Sequence, residues 1–209
     1  MTDPVEPEPE VAQRVFGPGL PLVRRYAADL AQHGVELGLI GPQEPARLWT
    51  RHLLNCGLVA PLIPSGATVA DVGSGAGLPG LVLAAARPDL RMTLIEPMER
   101  RVVWLQDEIG RLGLEQVTVV RARAEEVGGR FQVVTARAVG ALKKLLPVVA
   151  PLVAPGGRIA LMKGAGVEDE IRAAATVIRR LRLADLHVEI VGTGMASLET
   201  RVLVATVPD

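Results

Sequence analysis

The sequence predicts an α/β fold with a Rossmann-like, doubly wound parallel sheet, preceded by a helical extension. After Ser65, short runs of β-forming residues alternate with stretches whose apolar residues recur at helical spacing. Strands separated by helices of about 10 to 15 residues form parallel βαβ units. The last two strand-like runs, 186–191 and 201–207, are joined by a glycine-containing turn without a helix. We therefore expect the last strand to be antiparallel.

The N-terminal part has a different pattern. Residues 1–10 alternate proline with acidic residues and are predicted to be a disordered tail, because such a composition buries no apolar surface. Residues 11–64 form the predicted helical extension, in which one helix ends at Gly34 and a second covers 44–56. The Rossmann-like domain then spans residues 65–209.

Five strands and two clear helices are predicted before the terminal pair. The strands are 68–72, 92–95, 117–120, 131–136 and 158–162. The first helix places on one face Met98, Val102, Leu105, Ile109 and Leu112. The second runs from 168 to 181 and turns inward Ile171, Ala175, Ile178 and Leu181. In such a sheet, ligands bind at the carboxyl ends of the strands.

Composition and charge limit the class of protein. No apolar run reaches the roughly 18 residues that a membrane span needs, and the acidic N-terminus is the reverse of a signal peptide. The single cysteine, Cys56, cannot form an internal disulfide, so a reducing cytoplasm is the expected compartment. Beyond the acidic tail the chain carries 23 basic and 19 acidic residues, a net charge of +4. This modest excess is compatible with a nucleic-acid partner.

The stretch ADVGSGAGLPG, residues 70–80, follows the first strand and fits two kinds of cofactor. The spacing from Gly75 to Gly80 matches the G-x-G-x-x-G of a dinucleotide-binding turn. Asp71, two residues before Gly73, instead favours S-adenosylmethionine, because a carboxylate attracts a sulfonium and an ammonium and repels a pyrophosphate. No Lys-Ser or Lys-Thr follows the glycines, which excludes a phosphate-binding P-loop. We expect Gly80 to serve packing.

Further cofactor contacts are expected after the next two strands. Glu96 ends the second strand and can accept both ribose hydroxyls, as in either nucleotide class. Ala124 and Glu125 follow the third strand, where a backbone amide commonly meets the adenine ring in such folds. The predicted cofactor-binding residues are Asp71, Gly73, Ser74, Gly75, Gly77, Leu78, Glu96, Ala124, Glu125 and Arg137.

Motifs outside the glycine loop occur in a fixed order. They are Arg51-His52-Leu53-Leu54-Asn55, the glycine block, Glu99-Arg100-Arg101, Ala136-Arg137-Ala138, Lys163-Gly164 and a late Arg201. Together they make the chain resemble the ribosomal RNA small subunit methyltransferase G family, also called glucose-inhibited division protein B. The resemblance implies a class I S-adenosylmethionine-dependent methyltransferase fold. It also implies methylation of N7 of one guanine in the 530 loop of 16S rRNA.

The chemistry of the residues agrees with that reaction. Guanine N7 has an exposed lone pair and no hydrogen, so its methylation needs alignment and electrostatic help at O6 and no general base. The sequence has no Asn-Pro-Pro-Tyr or Asp-Pro-Pro-Tyr element for exocyclic amines and no Pro-Cys nucleophile for carbon 5. The same absences fit a methyltransferase for a small metabolite. A non-catalytic RNA- or ribosome-binding module of the same fold is a third possibility.

Basic side chains supply the remaining candidates. The predicted catalytic residues are Arg137, Lys163 and Arg201. Arg137 follows the fourth strand, where it could hold guanine O6 or a flanking phosphate. Candidate RNA-binding residues are Arg51, His52, Arg100, Arg101, Arg121, Arg123, Lys143 and Lys144. The expected partner is 16S rRNA, the small ribosomal subunit or its assembly precursor; we expect no membrane partner, no metal site and a monomer.

Overall fold

The computed structural model describes residues 4–195 and 198–208, which form one seven-stranded sheet. The strands are β1 Thr68–Val72, β2 Arg91–Ile95, β3 Val117–Val120, β4 Phe131–Arg137, β5 Val153–Lys163, β6 Ala184–Val191 and β7 Thr200–Thr206. Their order is β3-β2-β1-β4-β5-β7-β6. Strand β7 is antiparallel to both of its neighbours, and the other pairs are parallel. The predicted doubly wound sheet with an antiparallel last strand is confirmed.

Seven α-helices and one π-helix accompany the sheet in the described part of the chain. The α-helices are α1 Ala12–Phe16, α2 Leu20–His33, α3 Asn55–Gly57, α4 Gly80–Ala86, α5 Glu99–Leu112, α6 Leu142–Val149 and α7 Val167–Arg180. The π-helix is Leu48–Leu54. Within the described residues, no helix combines the length and the apolar character needed to cross a membrane.

Two apolar cores lie on opposite faces of the sheet, because successive side chains of a strand point to opposite faces. Val69 of β1 belongs to the first core, and its neighbour Ala70 belongs to the second. The first core joins α2, the π-helix, α4 and α5, and the second joins α6 and α7. The extension therefore shares its core with the sheet, which fixes its side chains relative to the strand ends.

The predicted single helix over 44–56 is wrong in its geometry. A 3₁₀ turn at Pro45–Arg47 leads into the π-helix, and α3 follows. The buried side chains explain the wider turn, since Leu48 and Leu53 are five residues apart, as are Trp49 and Leu54. A π-helix brings residues at that spacing onto one face.

The tail also differs from the prediction of disorder, as far as it is described. Glu6 donates its backbone N–H to the Pro45 carbonyl at 2.9 Å and accepts the Thr50 N–H at 3.0 Å through its side chain. Glu8 forms an ion pair with Arg24 at 2.7 Å. Glu8 is thus paired with a cation, and Glu6 accepts an N–H from the first turn of the π-helix. These contacts hold the described part of the tail against the extension. Residues 1–3 lie outside the described part.

Candidate functional site

Three adjoining cavities lie where strands β1, β2 and β4 end. The central cavity, of about 520 Å³, is lined by Leu39, Ile40, His52, Ser74, Glu96 and Arg137 among others. The apolar cavity, of about 570 Å³, is lined by Val72, Ile95, Met98, Ala124, Leu145 and Val148 among others. The polar cavity, of about 390 Å³, is lined by Arg51, Asn55, Arg137, Lys163, Glu170 and Arg201 among others. The central cavity adjoins the apolar one at Gly73 and Val139 and the polar one at Arg137 and Ala138.

The glycine loop forms one wall of the central cavity. Gly73 and Gly75 have φ of +70° and +56°, a left-handed conformation that glycine adopts without steric cost. The N–H groups of Gly73 and Ser74 donate to the Ile95 carbonyl at 2.9 and 3.2 Å, which ties the loop to β2. Leu78 lines the same cavity.

The other two glycines of the block have packing roles. Gly77 does not line the central cavity, and a Cβ on it would lie 2.4 Å from Leu81 Cδ1. A Cβ on Gly80 would lie 2.3 Å from Leu94 Cδ2 and 2.7 Å from Asp71 Oδ2. These contacts agree with the prediction that Gly80 packs the first turn of α4 against the sheet.

Asp71 does not have the role that we predicted for it. Its side chain is fully buried and does not line any of the three cavities. Its Oδ2 accepts the Gly80 N–H at 3.0 Å, at the start of α4, and Oδ1 has no hydrogen-bond partner among the residues that the structure describes. Burial raises the pKa of this carboxyl to about 7. Asp71 therefore braces the glycine block from beneath, and the argument from its charge does not identify the cofactor.

Glu96, and not Asp71, supplies a carboxylate at the end of β2 that faces the central cavity. It is buried, yet it lines the central cavity. Its Oε2 accepts the Gly75 N–H at 2.9 Å, and its Oε1 accepts the Met98 N–H at 3.0 Å. The Arg101 guanidinium lies 3.8 Å from Oε2. Each carboxylate oxygen has a second lone pair, so Glu96 can accept two further hydrogen bonds, as a ribose diol requires.

A hydrogen-bonded chain runs from the extension to the end of β4. Arg137 donates from Nη2 to His52 Nδ1 at 2.6 Å, and His52 Nε2 in turn contacts a carboxylate oxygen of Glu44. Burial lowers the pKa of His52 to about 4, with the nearby Arg137 charge adding to the effect. His52 is therefore neutral at pH 7. Glu44 was not found by sequence reasoning, because only the fold brings it to His52.

Two further contacts hold the Arg137 guanidinium. Nη2 also donates to the Arg51 carbonyl at 3.2 Å, and Nη1 donates to Cys56 Sγ at 3.4 Å. Burial raises the pKa of the Cys56 thiol to about 11, so the sulfur is a neutral thiol. The next residue, Ala138, has φ +56°, a strained backbone conformation for a non-glycine residue. Arg137 is thus fixed at the boundary between the central and polar cavities.

The polar cavity brings together the other two predicted catalytic residues. Lys163 and Arg201 are cross-strand partners at the ends of β5 and β7. Lys163 Nζ lies 2.8 Å from Glu170 Oε2 and donates to the Gly140 carbonyl at 2.9 Å. Glu170 was missed by sequence reasoning because α7, which carries it, meets this edge only in the fold. Its Oε2 also accepts the Leu142 N–H at 2.9 Å.

The apolar cavity contains the predicted adenine segment. Ala124 and Glu125 line it, together with the side chains of β1, β2 and α6. Arg123 and Lys144, which we predicted to bind RNA, line the same cavity. The apolar walls suit a planar heterocycle, and the adjoining Glu96 suits the sugar attached to it.

The remaining RNA candidates lie in several environments. Arg51 lines the polar cavity, whereas Arg100 and Lys143 are exposed on α5 and α6. Arg121 forms an ion pair with Glu99 at 3.0 Å. His52 and Arg101 line the central cavity instead of the outer surface. The prediction that His52 binds RNA is not supported, because both of its ring nitrogens already have partners and its side chain is buried.

The cavities fit a nucleoside cofactor with a cationic centre. Glu96 offers lone pairs for a ribose, and the apolar cavity offers walls for a base. Gly73 and Gly75 line the central cavity and carry no side chain, so a ligand can approach their main chain closely. Two carboxylates, Glu44 and Glu96, line the central cavity and favour a cation there.

Comparison with known proteins gives concordant results. The family model described as rRNA small subunit methyltransferase G matches residues 20–199. The chain is 53% identical over 211 residues to ribosomal RNA small subunit methyltransferase G of Clavibacter michiganensis subsp. michiganensis, covering 99% of this chain and 100% of the relative. It is 53% identical over 209 residues to the protein of the same name from Leifsonia xyli subsp. xyli, with coverage of 99% and 100%.

Solved structures show the same fold at low sequence identity. A methyltransferase from Pyrococcus furiosus has a TM-score of 0.59 and 18% identity, covering 73% of this chain and 80% of its own. Precorrin-6y C5,15-methyltransferase from Geobacter metallireducens has a TM-score of 0.54 and 19% identity, covering 80% of this chain and 90% of its own. The sheet described above is therefore the class I methyltransferase fold.

Proposed function

The chain belongs to the ribosomal RNA small subunit methyltransferase G family, and from this premise we propose that it methylates N7 of one guanine in the 530 loop of 16S rRNA. The observation that carries the proposal is the position of Arg137, at the boundary shared by the central and polar cavities. A methyl donor in the central cavity and a guanine base in the polar cavity would meet beside this guanidinium.

S-adenosylmethionine is the cofactor of this family and, when bound, supplies an electrophilic methyl group on a sulfonium. Glu96 would accept the ribose hydroxyls, and Ala124 and Glu125 would border the adenine. Gly73, Ser74 and Gly75 would provide main-chain contacts at the methionine end. The same carboxylates that favour a cation here disfavour the pyrophosphate of a dinucleotide.

The residues at the boundary suit a reaction that needs no general base. The two nitrogens of His52 are occupied by Arg137 and Glu44. Glu170 is occupied by Lys163 and a backbone N–H. Guanine N7 carries no proton, so the nucleophile is ready when it is aligned. The base takes over the positive charge of the sulfonium as N7 is methylated, so Arg137 would act by donating a hydrogen bond to O6 and aligning N7 with the methyl group. Lys163 and Arg201 line the same polar cavity as Arg137.

The closing test is methylation of purified small ribosomal subunits and of naked 16S rRNA with labelled S-adenosylmethionine. Chemical cleavage at 7-methylguanosine then maps the modified base. We expect one modified guanine in the 530 loop with wild-type protein, and loss of modification with Arg137→Ala at unchanged S-adenosylmethionine affinity. Arg180→Ala, in the exposed last turn of α7, is the matched control that keeps the reaction.

Three outcomes would contradict the proposal. Modification outside the 530 loop, or at another atom of guanine, would refute the assigned target. Label in a small metabolite with none in either RNA substrate would show a metabolite methyltransferase. Calorimetry without S-adenosylmethionine binding would instead indicate an RNA- or ribosome-binding module of the same fold.

A further inference from the structure

The proposed reaction depends on where Arg137 points, and the structure contains a device that sets its direction. Arg137 is the last residue of β4 and is only half-buried. An arginine side chain at such a position ordinarily samples several rotamers, and holding it in one of them costs conformational entropy. Neighbouring groups must therefore hold the guanidinium if it is to stay at the boundary between the central and polar cavities.

We infer that Glu44 and His52 form a positioning dyad, in which the Glu44 carboxylate fixes the His52 ring so that Nδ1 accepts a hydrogen bond from Arg137. Neither residue touches the reacting atoms in this scheme. The inference rests on the proposed function, because it assigns to Arg137 the role stated there.

The direction of each hydrogen bond follows from what the groups can donate. A guanidinium only donates, so His52 Nδ1, at 2.6 Å from Arg137 Nη2, must be the acceptor and carries no proton. The remaining nitrogen, Nε2, then carries the ring proton and donates it to Glu44. The carboxylate thus selects the tautomer that Arg137 needs.

Charge supports the same arrangement. An imidazolium would lose the Nδ1 acceptor and would place a second cation against Arg137. The charged groups that face His52 are Arg137, Glu44 and Arg51, and the two arginines oppose protonation while Glu44 favours it. Burial and Arg137 prevail, which keeps the ring neutral. Glu44 itself stays ionised: although its partial burial acts in the other direction, hydrogen bonds from His52 and Arg47 lower its pKa.

The fold makes the dyad possible through two local features. The π-helix carries both His52 and Arg51, and the Arg51 carbonyl accepts a hydrogen bond from Arg137 at 3.2 Å. Glu44 lies just before the π-helix and is itself held by Arg47 at 2.7 Å and Arg51 at 3.3 Å. Within the described part of the chain, Arg137 keeps Nε–H and one Nη1–H unpartnered, and these can face the two cavities.

The first arm of the test measures methyl transfer in variants of the dyad. His52→Leu removes the acceptor, and we expect kcat to fall about 100-fold, as for a group displaced by about 1 Å, with little change in KM for the cofactor. His52→Asn offers an amide oxygen near the Nδ1 position and should restore most of the rate. In an Arg137→Lys background, His52→Leu should cause little further loss, since the group it positions is gone. Full additivity there, or wild-type kcat in His52→Leu, would overturn the inference.

The second arm does not depend on the RNA substrate. Nitrogen-15 NMR of the imidazole should show the Nε2–H tautomer in wild-type protein at pH 7, and a mixture of tautomers in Glu44→Ala. Glu44→Gln keeps an acceptor and should preserve the wild-type tautomer. An Nδ1–H tautomer or an imidazolium in wild-type protein would overturn the dyad. If the NMR result holds and no rRNA is methylated, the proposed function fails and the dyad stands.

Discussion

The hydroxyl of Tyr26, in the helical extension, donates a 2.8 Å hydrogen bond to the carbonyl oxygen of Ala76, in the glycine loop. The indole N–H of Trp104 donates to the same oxygen, also at 2.8 Å. One side chain comes from α2 and the other from α5, and both are buried. The glycine loop, whose residues are intrinsically flexible, is thus held from two sides through a single carbonyl.

Removing either donor should loosen this loop. We expect Tyr26→Phe and Trp104→Phe each to lower the free energy of unfolding by about 1 kcal/mol, the typical value of one net hydrogen bond. The double variant should lose more than the sum, because the buried Ala76 carbonyl then has no partner. Urea unfolding measures the stability. Calorimetry measures the affinity for S-adenosylmethionine, which should fall in each single variant and fall further in the double variant. Strict additivity would show that the two bonds act independently.

The buried carboxyl of Asp71 predicts a specific pH dependence. Its pKa rises from 3.8 unfolded to about 7 folded, so between these values the folded state binds more protons than the unfolded state. Its contribution to stability is therefore present at low pH and is lost as the pH rises through 7, with a slope of up to about 1.4 kcal/mol per pH unit. Asp71→Asn should cost more stability at pH 5.5 than at pH 8.5. An equal cost at both values, measured by urea unfolding, would contradict the raised pKa.

Much of the fold could be predicted because each signal was local. The strand of Thr68–Val72 and the helix that ends before Gly113 follow from side-chain periodicity and from a left-handed glycine at the helix end, with φ +70°. The second helix of the extension could not be described correctly in this way. Its π-helical turn buries Leu48 and Leu53 together and donates a hydrogen bond from the Thr50 N–H to Glu6 of the distant tail.

The site was predictable in its residues and less so in their roles. Arg137, Lys163 and Glu96 do reach the cavities, because each ends or follows a strand. Asp71 is the last residue but one of β1, and the alternation of side chains directs it toward α4 and away from the cavities, whereas Val72 lines the apolar cavity. Sequence spacing does not reveal which way the Asp71 side chain points, and it does not reveal that Glu44 contacts His52.

Substitution by alanine should have opposite effects on stability at two helical glycines, Gly80 and Gly110. A Cβ at Gly80 would lie 2.3 Å from Leu94 and would displace Asp71, so Gly80→Ala should cost about 1 to 3 kcal/mol, the range for overpacking. Gly110 is exposed within α5, and among the described residues no atom outside its own helix turn would lie within 4 Å of a Cβ at this position. Gly110→Ala should therefore stabilise the protein by about 0.5 to 1 kcal/mol. Thermal unfolding of both variants checks the opposite signs.

Lys163 and Lys143 should contribute to RNA methylation in different ways. Lys143 is exposed on α6, so Lys143→Ala should reduce the salt dependence of RNA binding by somewhat less than one unit of log–log slope, as expected for one lost phosphate contact. The largely buried Lys163 is engaged with Glu170, so Lys163→Met should leave that slope unchanged and lower kcat. Binding titrations at several salt concentrations separate the two effects. A lower slope for Lys163→Met would place this lysine on a phosphate.

The acidic tail, residues 4–10, should affect stability and kcat through the hydrogen bond of Glu6 and not through its net charge. Glu6 accepts the Thr50 N–H at 3.0 Å, at the start of the π-helix that carries His52. Glu6→Ala leaves this N–H unpaired and should cost about 1 kcal/mol, as for the loss of a helix cap. Glu10→Ala removes the same charge from an exposed position outside these contacts and should change the stability by less than about 0.5 kcal/mol. Because the π-helix holds His52 against Arg137, Glu6→Ala should also lower kcat, whereas Glu10→Ala should not. Equal effects of the two variants on stability and kcat would show that the tail acts only through its net charge.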